Sequence, residues 1–281
     1  MVRSYHPETL EEALEIRSKT RCIPYAGGTD LMVRYRRGPG LVPGFDLPVM
    51  FIGQLPEITQ IHEKNGEFSI GTCVPYSDIV RHRHSPEILR QACSLIGAPA
   101  IQNLGTMGGN ICNASPAGDT LPVLAVLDAS LTLQSVSGER EVSLLSFFKG
   151  PGKTLLRNDE LLTCIRFRLP HFSAEGYRKI GTRKANALSK IAFAGFLLKE
   201  KGLLADVRIA LGAVAPTIVR SRELENRLIG QPVSDIAELM PDLLNSYAKL
   251  IQPITDQRSD ANYRKTVSLR LIENFVLKEE S

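Results

Sequence analysis

The sequence predicts an α+β protein made of two parts with different character. Up to about residue 170, short apolar strands alternate with amphipathic helices, which indicates mixed α/β units. Beyond that point, three longer strand-like stretches follow one another with no helix between them, a pattern typical of an antiparallel sheet. Helical periodicity then continues to the end of the sequence. We therefore predict two domains, residues 1–172 and 173–281, with the boundary near residues 170–176.

The first helix is predicted to begin after Thr9, whose hydroxyl can accept a hydrogen bond from the first helical turn. Leu10, Ala13, Leu14 and Ile16 form its apolar stripe. The elements that follow are, in order, a strand at 21–25, a short helix at 30–36, a proline- and glycine-rich loop at 37–48 and a strand at 49–52.

A second group of elements follows a connector at residues 54–62. Asn65-Gly66 is a dipeptide typical of tight hairpin turns, and Phe68 and Ile70 alternate with polar residues in the strand after it. The remaining predicted elements of this part are helices at 75–83, 86–96 and 121–127, a hairpin at 130–136 and 139–143 closed at Ser137-Gly138, and a strand at 161–169.

The C-terminal part is predicted to be a three-stranded antiparallel sheet with helices. Its strands are placed at 177–183, 191–200 and 203–213, with Lys201-Gly202 between the last two. Its helices are placed at 221–229, 234–251 and 260–278, and the last carries apolar residues at helical spacing: Val267, Leu271, Phe275 and Val276.

The charge balance argues against nucleic acid as a partner. The 34 basic and 30 acidic residues give a net charge of +4, which is too weak for an electrostatic footprint on a polyanion. Two small basic clusters, at 34–37 and 81–84, are interpreted as solvated loops.

The cysteines and the N-terminal sequence indicate a cytoplasmic protein. The five cysteines are scattered, without a C-x-x-C pair, so we expect no disulfide scaffold, no structural zinc site and no iron–sulfur cluster within this chain. The N-terminal residues lack the apolar segment of a signal peptide, and no run of eighteen apolar residues predicts a membrane span. A reducing compartment fits these features.

Two glycine-rich motifs carry the functional signal. The first is YAGGTDL at residues 25–31, and the second is NLGTMGGNICNASPAGD at residues 103–119. We predict two turns whose free N–H groups form concavities that bind anions. Neither motif has the spacing of a Rossmann fingerprint or a P-loop. Two such turns converging on one ligand suggest a dinucleotide cofactor with phosphates at its centre.

Both motifs, in this order and spacing, resemble the FAD-binding subunits of molybdenum hydroxylases, including those of xanthine, nicotinate and carbon monoxide dehydrogenases. The segments YHPETLEEAL, PEITQI, FSIGTCVPYSDI and YRKIGTRKANALSKIA extend the resemblance over the chain. It implies the vanillyl-alcohol-oxidase-like (PCMH-type) FAD-binding fold, with α/β subdomains at about 1–55 and 56–172, and a C-terminal α+β domain.

The resemblance also implies an oxidoreductase subunit that is incomplete by itself. Electrons would pass from iron–sulfur clusters of a small partner subunit through FAD to NAD⁺ or another acceptor. The substrate, a purine such as xanthine in some relatives, would react at the molybdopterin cofactor of a large partner subunit. The predicted lack of clustered cysteines in this chain fits that division.

The resemblance places the first motif along the FAD pyrophosphate. The residues assigned to it are Ala26, Gly27, Gly28, Thr29, Asp30 and Leu31. The glycine N–H groups and the threonine hydroxyl suit phosphate oxygens. A carboxylate does not, so Asp30 is expected to orient backbone N–H groups or to start the next helix. An ordinary strand–turn–helix corner is the alternative for the whole motif.

The second motif is assigned the other side of the cofactor. Thr106 and the backbone of Gly108 and Gly109 would contact the pyrophosphate side. Asn110 and Asp119 would bind the ribityl hydroxyls or the adenosine half, with Asn113 also in the site. For Asp119 the alternative is a helix N-cap before residues 120–127.

Three further positions are assigned to the flavin ring by the resemblance. Ile96 and Leu162 match apolar positions that flank the ring in relatives, with core packing as the alternative for both. Lys179 matches a lysine near the polar edge of the flavin, where a cation would stabilise the reduced anion. A surface lysine at a strand edge is its alternative.

No catalytic residue or metal ligand is predicted. The five histidines form no hydrolase signature, and His82 and His84 are poorly spaced for a metal. Two other functions stay open: a stand-alone FAD-dependent oxidoreductase of the same fold, and a scaffold without cofactor. The intact glycine pairs argue against the scaffold, on the expectation that bulkier residues would be tolerated without a ligand.

Overall fold

The computed structural model describes residues 3–277. Within this range the strands are β1 (Ser4–Tyr5), β2 (Ile23–Tyr25), β3 (Val49–Phe51), β4 (Ile61–Lys64), β5 (Glu67–Gly71), β6 (Ser130–Ser135), β7 (Gly138–Ser143), β8 (Phe148–Gly150), β9 (Lys153–Thr154), β10 (Leu161–Arg168), β11 (Ala174–Ile180), β12 (Ile191–Glu200) and β13 (Leu203–Gly212). The α-helices are α1 (Leu10–Lys19), α2 (Leu31–Arg34), α3 (Tyr76–Arg81), α4 (Glu87–Ser94), α5 (Pro99–Gln102), α6 (Met107–Asn113), α7 (Leu121–Val126), α8 (Leu144–Phe147), α9 (Arg222–Leu228), α10 (Ile236–Leu250) and α11 (Ala261–Val276). Lys278, the predicted end of the last helix, and Met1 and Val2 lie outside the described residues.

The chain folds into two compact units that are not contiguous in sequence. The first comprises the residues up to Ser85, Ala98–Ala114 and Ala129–Arg168. The second comprises Pro86–Gly97, Ser115–Asp128 and the residues from Leu169 onward. Two N-terminal helices, α4 and α7, therefore belong to the second unit, where α4 packs on β11 and α7 on β12 and β13.

The first unit contains a small parallel sheet in the order β1-β3-β2. Helix α1 begins as predicted, because the Thr9 hydroxyl accepts a hydrogen bond from the Glu12 N–H at 3.2 Å. Ala13 and Leu14 on its inner face pack with Met50 and the segment that leads into β4. The two-residue strand β1 was not predicted, since so short a stretch has no period to detect.

The same unit contains a five-stranded antiparallel sheet in the order β4-β5-β10-β6-β7. Asn65 and Gly66 have φ angles of 54° and 77°, which close the β4–β5 hairpin as predicted. Strand β10 lies at the centre, and a register shift between Leu162 and Cys164 interrupts its pairing with β6. The short hairpin β8–β9 was not predicted.

The second unit contains the antiparallel sheet β11-β12-β13 and the helices α9–α11, which confirms the predicted three strands and three helices. Lys201 and Gly202, with φ angles of 50° and 78°, form the turn between β12 and β13. The sheet and helices enclose an apolar core whose largest members are Phe193, Tyr247 and Phe275.

The second glycine motif differs from the prediction, because its central part is helical. Residues 107–113 form α6, and the Thr106 hydroxyl caps it by accepting a hydrogen bond from the Gly109 N–H at 3.1 Å. Glycine is a poor helix former in isolation, so local propensity argued for a turn. Tertiary packing overrides it here, since Gly108 lies directly against Thr72. No helix among residues 3–277 is long and apolar enough to cross a bilayer.

Candidate functional site

A cavity of about 300 Å³ lies within the first unit, between the two glycine motifs. Twelve of the fifteen predicted site residues line it: Ala26, Gly27, Gly28, Thr29, Asp30, Leu31, Thr106, Gly108, Gly109, Asn110, Asn113 and Leu162. The structure thus brings together two motifs that are about eighty residues apart in sequence. The other three residues, Ile96, Asp119 and Lys179, belong to the second unit.

The first motif presents unused hydrogen-bond donors to this cavity. Among residues 3–277, none accepts a hydrogen bond from the backbone N–H groups of Gly27, Gly28 or Thr29. Gly28 has a φ of 69°, whereas Gly27 is not among the residues with positive φ, and such an alternation is typical of turns in which successive N–H groups face one anion. The Thr29 hydroxyl likewise has no partner among the described residues. Such a nest of donors suits an anion.

The fold itself requires the glycines of the first motif. A Cβ at Gly27 would lie 1.6 Å from the carbonyl oxygen of Leu104, and one at Gly28 would lie 2.1 Å from the hydroxyl oxygen of Tyr25. Similarly, a Cβ at Gly108 would lie 2.4 Å from the Thr72 Cβ. The expectation that bulkier residues would be tolerated without a ligand is therefore wrong, and these glycines do not by themselves argue against a scaffold.

The amides of the second motif are already engaged. The Gly108 N–H donates to the Thr72 carbonyl at 2.9 Å, and the Gly109 N–H donates to Thr106. These N–H groups therefore have partners within the protein, and the predicted contact of the Gly108 and Gly109 backbone with the pyrophosphate side stays a prediction. The two glycines instead provide a wall without side chains, so a ligand can approach the helix backbone closely. Asn110 and Asn113, further along α6, bring amide side chains to the same cavity.

A chain of side-chain hydrogen bonds joins the two motifs across the cavity wall. The Asn113 amide nitrogen donates to the Asp30 carboxylate at 2.9 Å, and its oxygen accepts from the Arg34 guanidinium at 2.8 Å. Asp30 does precede α2, but its side chain makes no capping hydrogen bond there. The role of this carboxylate in the structure is to hold Asn113 in place.

Several cavity residues were missed by the sequence analysis, among them Arg17, Thr72, Cys73, Tyr76 and Cys112. One signal was available: Arg17 follows Ala13 and Leu14 at helical spacing, so a charged residue stands on the apolar face of α1. Cys112 is an exposed residue, whereas Cys73 is buried. Burial raises the pKa of the Cys73 thiol to about 12.

Leu162 combines two of its expected features. It is buried within β10, with 4% of its surface exposed, so core packing accounts for part of its role. It also lines the cavity with its neighbour Leu161, so these leucines form part of the apolar wall. Apolar walls with a few placed polar groups are typical of cofactor pockets.

In the second unit, Asp119 and Lys179 form a buried ion pair. The Lys179 ammonium also donates to the Leu95 carbonyl at 2.8 Å, and the Ser189 hydroxyl donates to Asp119. Burial raises the pKa of Asp119, while the neighbouring ammonium and the Ser189 hydroxyl oppose that shift. Burial also raises the pKa of Tyr177, whose hydroxyl donates to the Asp119 carbonyl.

The structure tests the alternative roles that the sequence left open for Asp119 and Lys179. Thr120, not Asp119, occupies the N-cap position of α7, so the capping alternative is wrong. The Lys179 side chain is only 8% exposed, so the surface-lysine alternative is wrong as well. Ile96 is half-buried just after α4. The roles of these three residues toward the flavin stay predictions.

The first unit meets the chemical needs of FAD. The pyrophosphate of FAD needs hydrogen-bond donors, which the first motif supplies, and a backbone that can be approached closely, which α6 supplies. The ring and adenine need apolar surface, which Leu161 and Leu162 supply. The residues that line the cavity therefore fit FAD.

Comparison with known proteins was made by sequence and by structure. Residues 1–171 match the family described as the FAD binding domain in molybdopterin dehydrogenase, and residues 176–278 match the CO dehydrogenase flavoprotein C-terminal domain. The chain is 32% identical to the glyceraldehyde dehydrogenase medium chain of Sulfolobus acidocaldarius over 268 residues, which cover 92% of each chain. It is 31% identical to the nicotinate dehydrogenase FAD-subunit of Eubacterium barkeri, covering 82% of this chain and 80% of that one.

A solved structure shows the same fold. Carbon monoxide dehydrogenase from Hydrogenophaga pseudoflava, in a form lacking the Mo-pyranopterin moiety of its molybdenum cofactor, superposes with a TM-score of 0.87 at 24% identity. The match covers 97% of this chain and 95% of the matched chain.

Proposed function

The chain belongs to the FAD-binding medium subunits of the molybdenum hydroxylase family, and we propose that it relays electrons from a partner's iron–sulfur clusters through FAD to a final acceptor. NAD⁺ is the acceptor proposed first. The substrate would be oxidised at the molybdopterin of a large partner subunit, and xanthine-type purines are the first class to test.

One observation supports the placement of FAD in the first unit. The cavity brings the two motifs together and offers three consecutive N–H groups, at Gly27, Gly28 and Thr29, that no described residue uses. Backbone N–H groups without a partner in the protein are satisfied by water or by a bound ligand. We infer that the pyrophosphate of FAD is the acceptor these groups are arranged for.

The residues of the chain would bind and shield the cofactor rather than react. When bound, FAD supplies the redox chemistry of the subunit. The turn around Gly28 would hold the phosphates, Asn110 and Asn113 would donate to hydroxyls, and Leu162 would cover apolar surface and exclude water. The Asp30–Asn113–Arg34 chain would keep the two motifs at a constant separation.

The first test is the absorption spectrum of the purified chain, followed by chromatography of the ligand released on denaturation. We expect FAD near one equivalent, or its uptake on addition. A chain that binds no FAD, alone or with its partners, would contradict the proposal and favour a scaffold. Turnover of a small substrate by the isolated chain would instead favour a stand-alone oxidoreductase.

A matched pair of variants tests the site. Thr29→Val removes one hydroxyl and keeps the shape, and we expect it to weaken FAD binding about 3- to 10-fold. Thr266→Val makes the same change at an exposed position of α11 and should leave binding unchanged. Equal affinities for the two variants would contradict the placement of the phosphates at the first motif.

The relay itself requires the assembled complex. Co-purification with an iron–sulfur small subunit and a molybdopterin large subunit is the expected result for the tagged chain. Stopped-flow reoxidation of the substrate-reduced complex by NAD⁺, dioxygen and a quinone then identifies the acceptor. Reoxidation by a quinone or dioxygen but not by NAD⁺ would overturn the NAD⁺ proposal alone.

A further inference from the structure

Arg17 is a cation in the wall of the cavity that the resemblance does not assign. It lies in the last turn of α1, on the face that carries Ala13 and Leu14, and its side chain reaches the cavity lining. Only 8% of its surface is exposed. A guanidinium stays charged at all pH values relevant to proteins, so this position places a permanent positive charge next to the cavity.

The hydrogen bonds of Arg17 leave this charge without a counter-ion. Its guanidinium donates to the carbonyl oxygens of Cys22 at 2.6 Å and Glu160 at 3.3 Å, and its Nε atom is buried without a partner. Within residues 3–277, no carboxylate forms an ion pair with it, although fourteen such pairs are found elsewhere. Carbonyl oxygens solvate a cation but do not neutralise it.

The Glu160 carboxylate does not neutralise Arg17, because it already pairs with another cation. Glu160, whose backbone carbonyl accepts from Arg17, directs both carboxylate oxygens to the Arg140 guanidinium, at 2.6 and 2.9 Å. Its Oε2 also accepts from the Arg157 N–H at 2.8 Å. These bonds hold the pKa of Glu160 below its ordinary value. Glu160 is therefore the counter-ion of Arg140, and the charge of Arg17 can interact with a ligand in the cavity.

The other ionised groups of the cavity wall do not compensate Arg17 either. The Asp30 carboxylate accepts from Asn113, which in turn accepts from Arg34, so these two opposite charges are already linked through one amide. Arg17 lines the same cavity as Gly27, Gly28 and Thr29, so an anion bound there would lie in a wall that carries this charge. A buried charge without a counter-ion is costly even when carbonyl oxygens solvate it, which points to an anionic ligand that completes the site.

We propose that Arg17 supplies the positive charge that binds the pyrophosphate of FAD. This inference rests on the proposed placement of FAD in the cavity of the first unit. In oxidised FAD the pyrophosphate is the only permanently anionic group, since the ring, the ribityl chain and the adenine are neutral. The free N–H groups of the first motif lie in the same cavity and suit the same group. Arg17 is in this view a binding residue and takes no part in electron transfer.

The test compares three variants of the full-length chain after removal of flavin. Arg17→Met keeps length and removes charge, and Arg17→Lys keeps charge with fewer donors. Arg21→Met removes the same charge at an exposed position four residues away that does not line the cavity. Dissociation constants are measured for FAD, for ADP, which has the pyrophosphate without the flavin, and for riboflavin, which has the flavin without phosphate.

For Arg17→Met we expect the dissociation constants of FAD and ADP to rise together about 10- to 100-fold, with riboflavin unchanged. Arg17→Lys should recover part of this loss, and Arg21→Met should match the wild type. The salt dependence of FAD binding should decrease in Arg17→Met. In the flavin-free Arg17→Met protein, removal of the buried charge favours folding, whereas loss of the hydrogen bonds to the Cys22 and Glu160 carbonyls opposes it, so the melting temperature is measured separately from binding.

Three results would overturn the inference. If Arg17→Met weakens riboflavin as much as FAD and shifts the flavin potential while ADP is unaffected, Arg17 faces the ring instead. If the flavin-free variant melts at a lower temperature and the FAD constant does not change, Arg17 is structural. Failure of the proposed function looks different, because the wild type would then bind no FAD. Wild-type binding that is weakened by Thr29→Val but not by Arg17→Met would contradict this inference alone.

Discussion

The Lys179 ammonium lies 2.6 Å from the Asp119 carboxylate, and the two side chains are only 8% and 9% exposed. The pair connects β11 to the segment before α7, two parts of the second unit that are sixty residues apart in sequence. Ser189 donates a further hydrogen bond to the same carboxylate. An ion pair this deeply buried is costly to break, because a single charge would stay behind without a partner.

Lys179→Met should therefore lower the free energy of unfolding by about 3–5 kcal/mol at neutral pH. Removing the ammonium raises the folded-state pKa of Asp119 further above its unfolded value. Stability that depends on protonated Asp119 is present below the unfolded pKa and is lost as pH rises through the folded pKa. The deficit relative to the wild type should thus be small near pH 4 and grow toward pH 7.

Urea denaturation between pH 4 and pH 7.5 measures this effect, with the double variant Asp119→Asn/Lys179→Met as the control. The double variant should be more stable than Lys179→Met alone at pH 7, since no charge is left unpaired. A deficit of constant size across the pH range would contradict the buried pair.

Gly27→Ala should destabilise the first unit. Its Cβ would meet the Leu104 carbonyl, a backbone atom that can move only with the second motif, so we expect a loss of about 1–3 kcal/mol. Gly44→Ala is the control, because a Cβ there would meet only the mobile end of the Arg37 side chain. Chemical denaturation of the flavin-free proteins measures the free energy of unfolding of both variants. Equal stability of both variants would show that the motifs do not pack this closely.

Glu160→Gln should lower stability at neutral pH but not in acid. The hydrogen bonds from Arg140 hold the pKa of Glu160 below its ordinary value. The stability they contribute is present above the unfolded pKa of Glu160 and is lost as pH falls through its folded pKa. We expect a loss of about 1–3 kcal/mol at pH 7 that shrinks below pH 4.

The control for this change is Glu139→Gln, at an exposed position of β7. It should leave the pH dependence of unfolding as in the wild type. If Glu160→Gln does not alter the loss of stability at low pH, other carboxylates cause that loss, and the prediction is wrong.

Cys73, which is buried in the cavity wall, should react slowly with alkylating reagents. Burial raises its thiol pKa to about 12, so at pH 8 its thiolate fraction is about a thousandfold below that of an ordinary cysteine. Mass spectrometry after iodoacetamide treatment of the flavin-free chain, with a cysteine peptide as the reference, measures the rate. A rate close to that of the peptide would contradict the raised pKa.

Local signals predicted most of the elements correctly. Thr9 caps α1, Asn65-Gly66 closes the β4–β5 hairpin, and Lys201-Gly202 joins β12 to β13. Each signal acts between residues only a few positions apart, so sequence reasoning can detect it. The site was found in outline by its two motifs, since twelve assigned residues line one cavity. The low helix propensity of glycine predicted a turn in the second motif. This prediction was wrong, because packing of Gly108 on Thr72 stabilises a helix there.

The sequence by itself determined the order of helices and strands, the two motifs and, through them, the family and its cofactor. Only the tertiary structure decided which N–H donors are free. The N–H groups at the start of α6 have acceptors within the protein, whereas those of Gly27 and Gly28 have none among the described residues. It also placed Arg17 in the cavity wall and paired Lys179 with Asp119. The physical reason is that hydrogen bonding, burial and charge compensation depend on groups far apart in the chain, which no local pattern encodes.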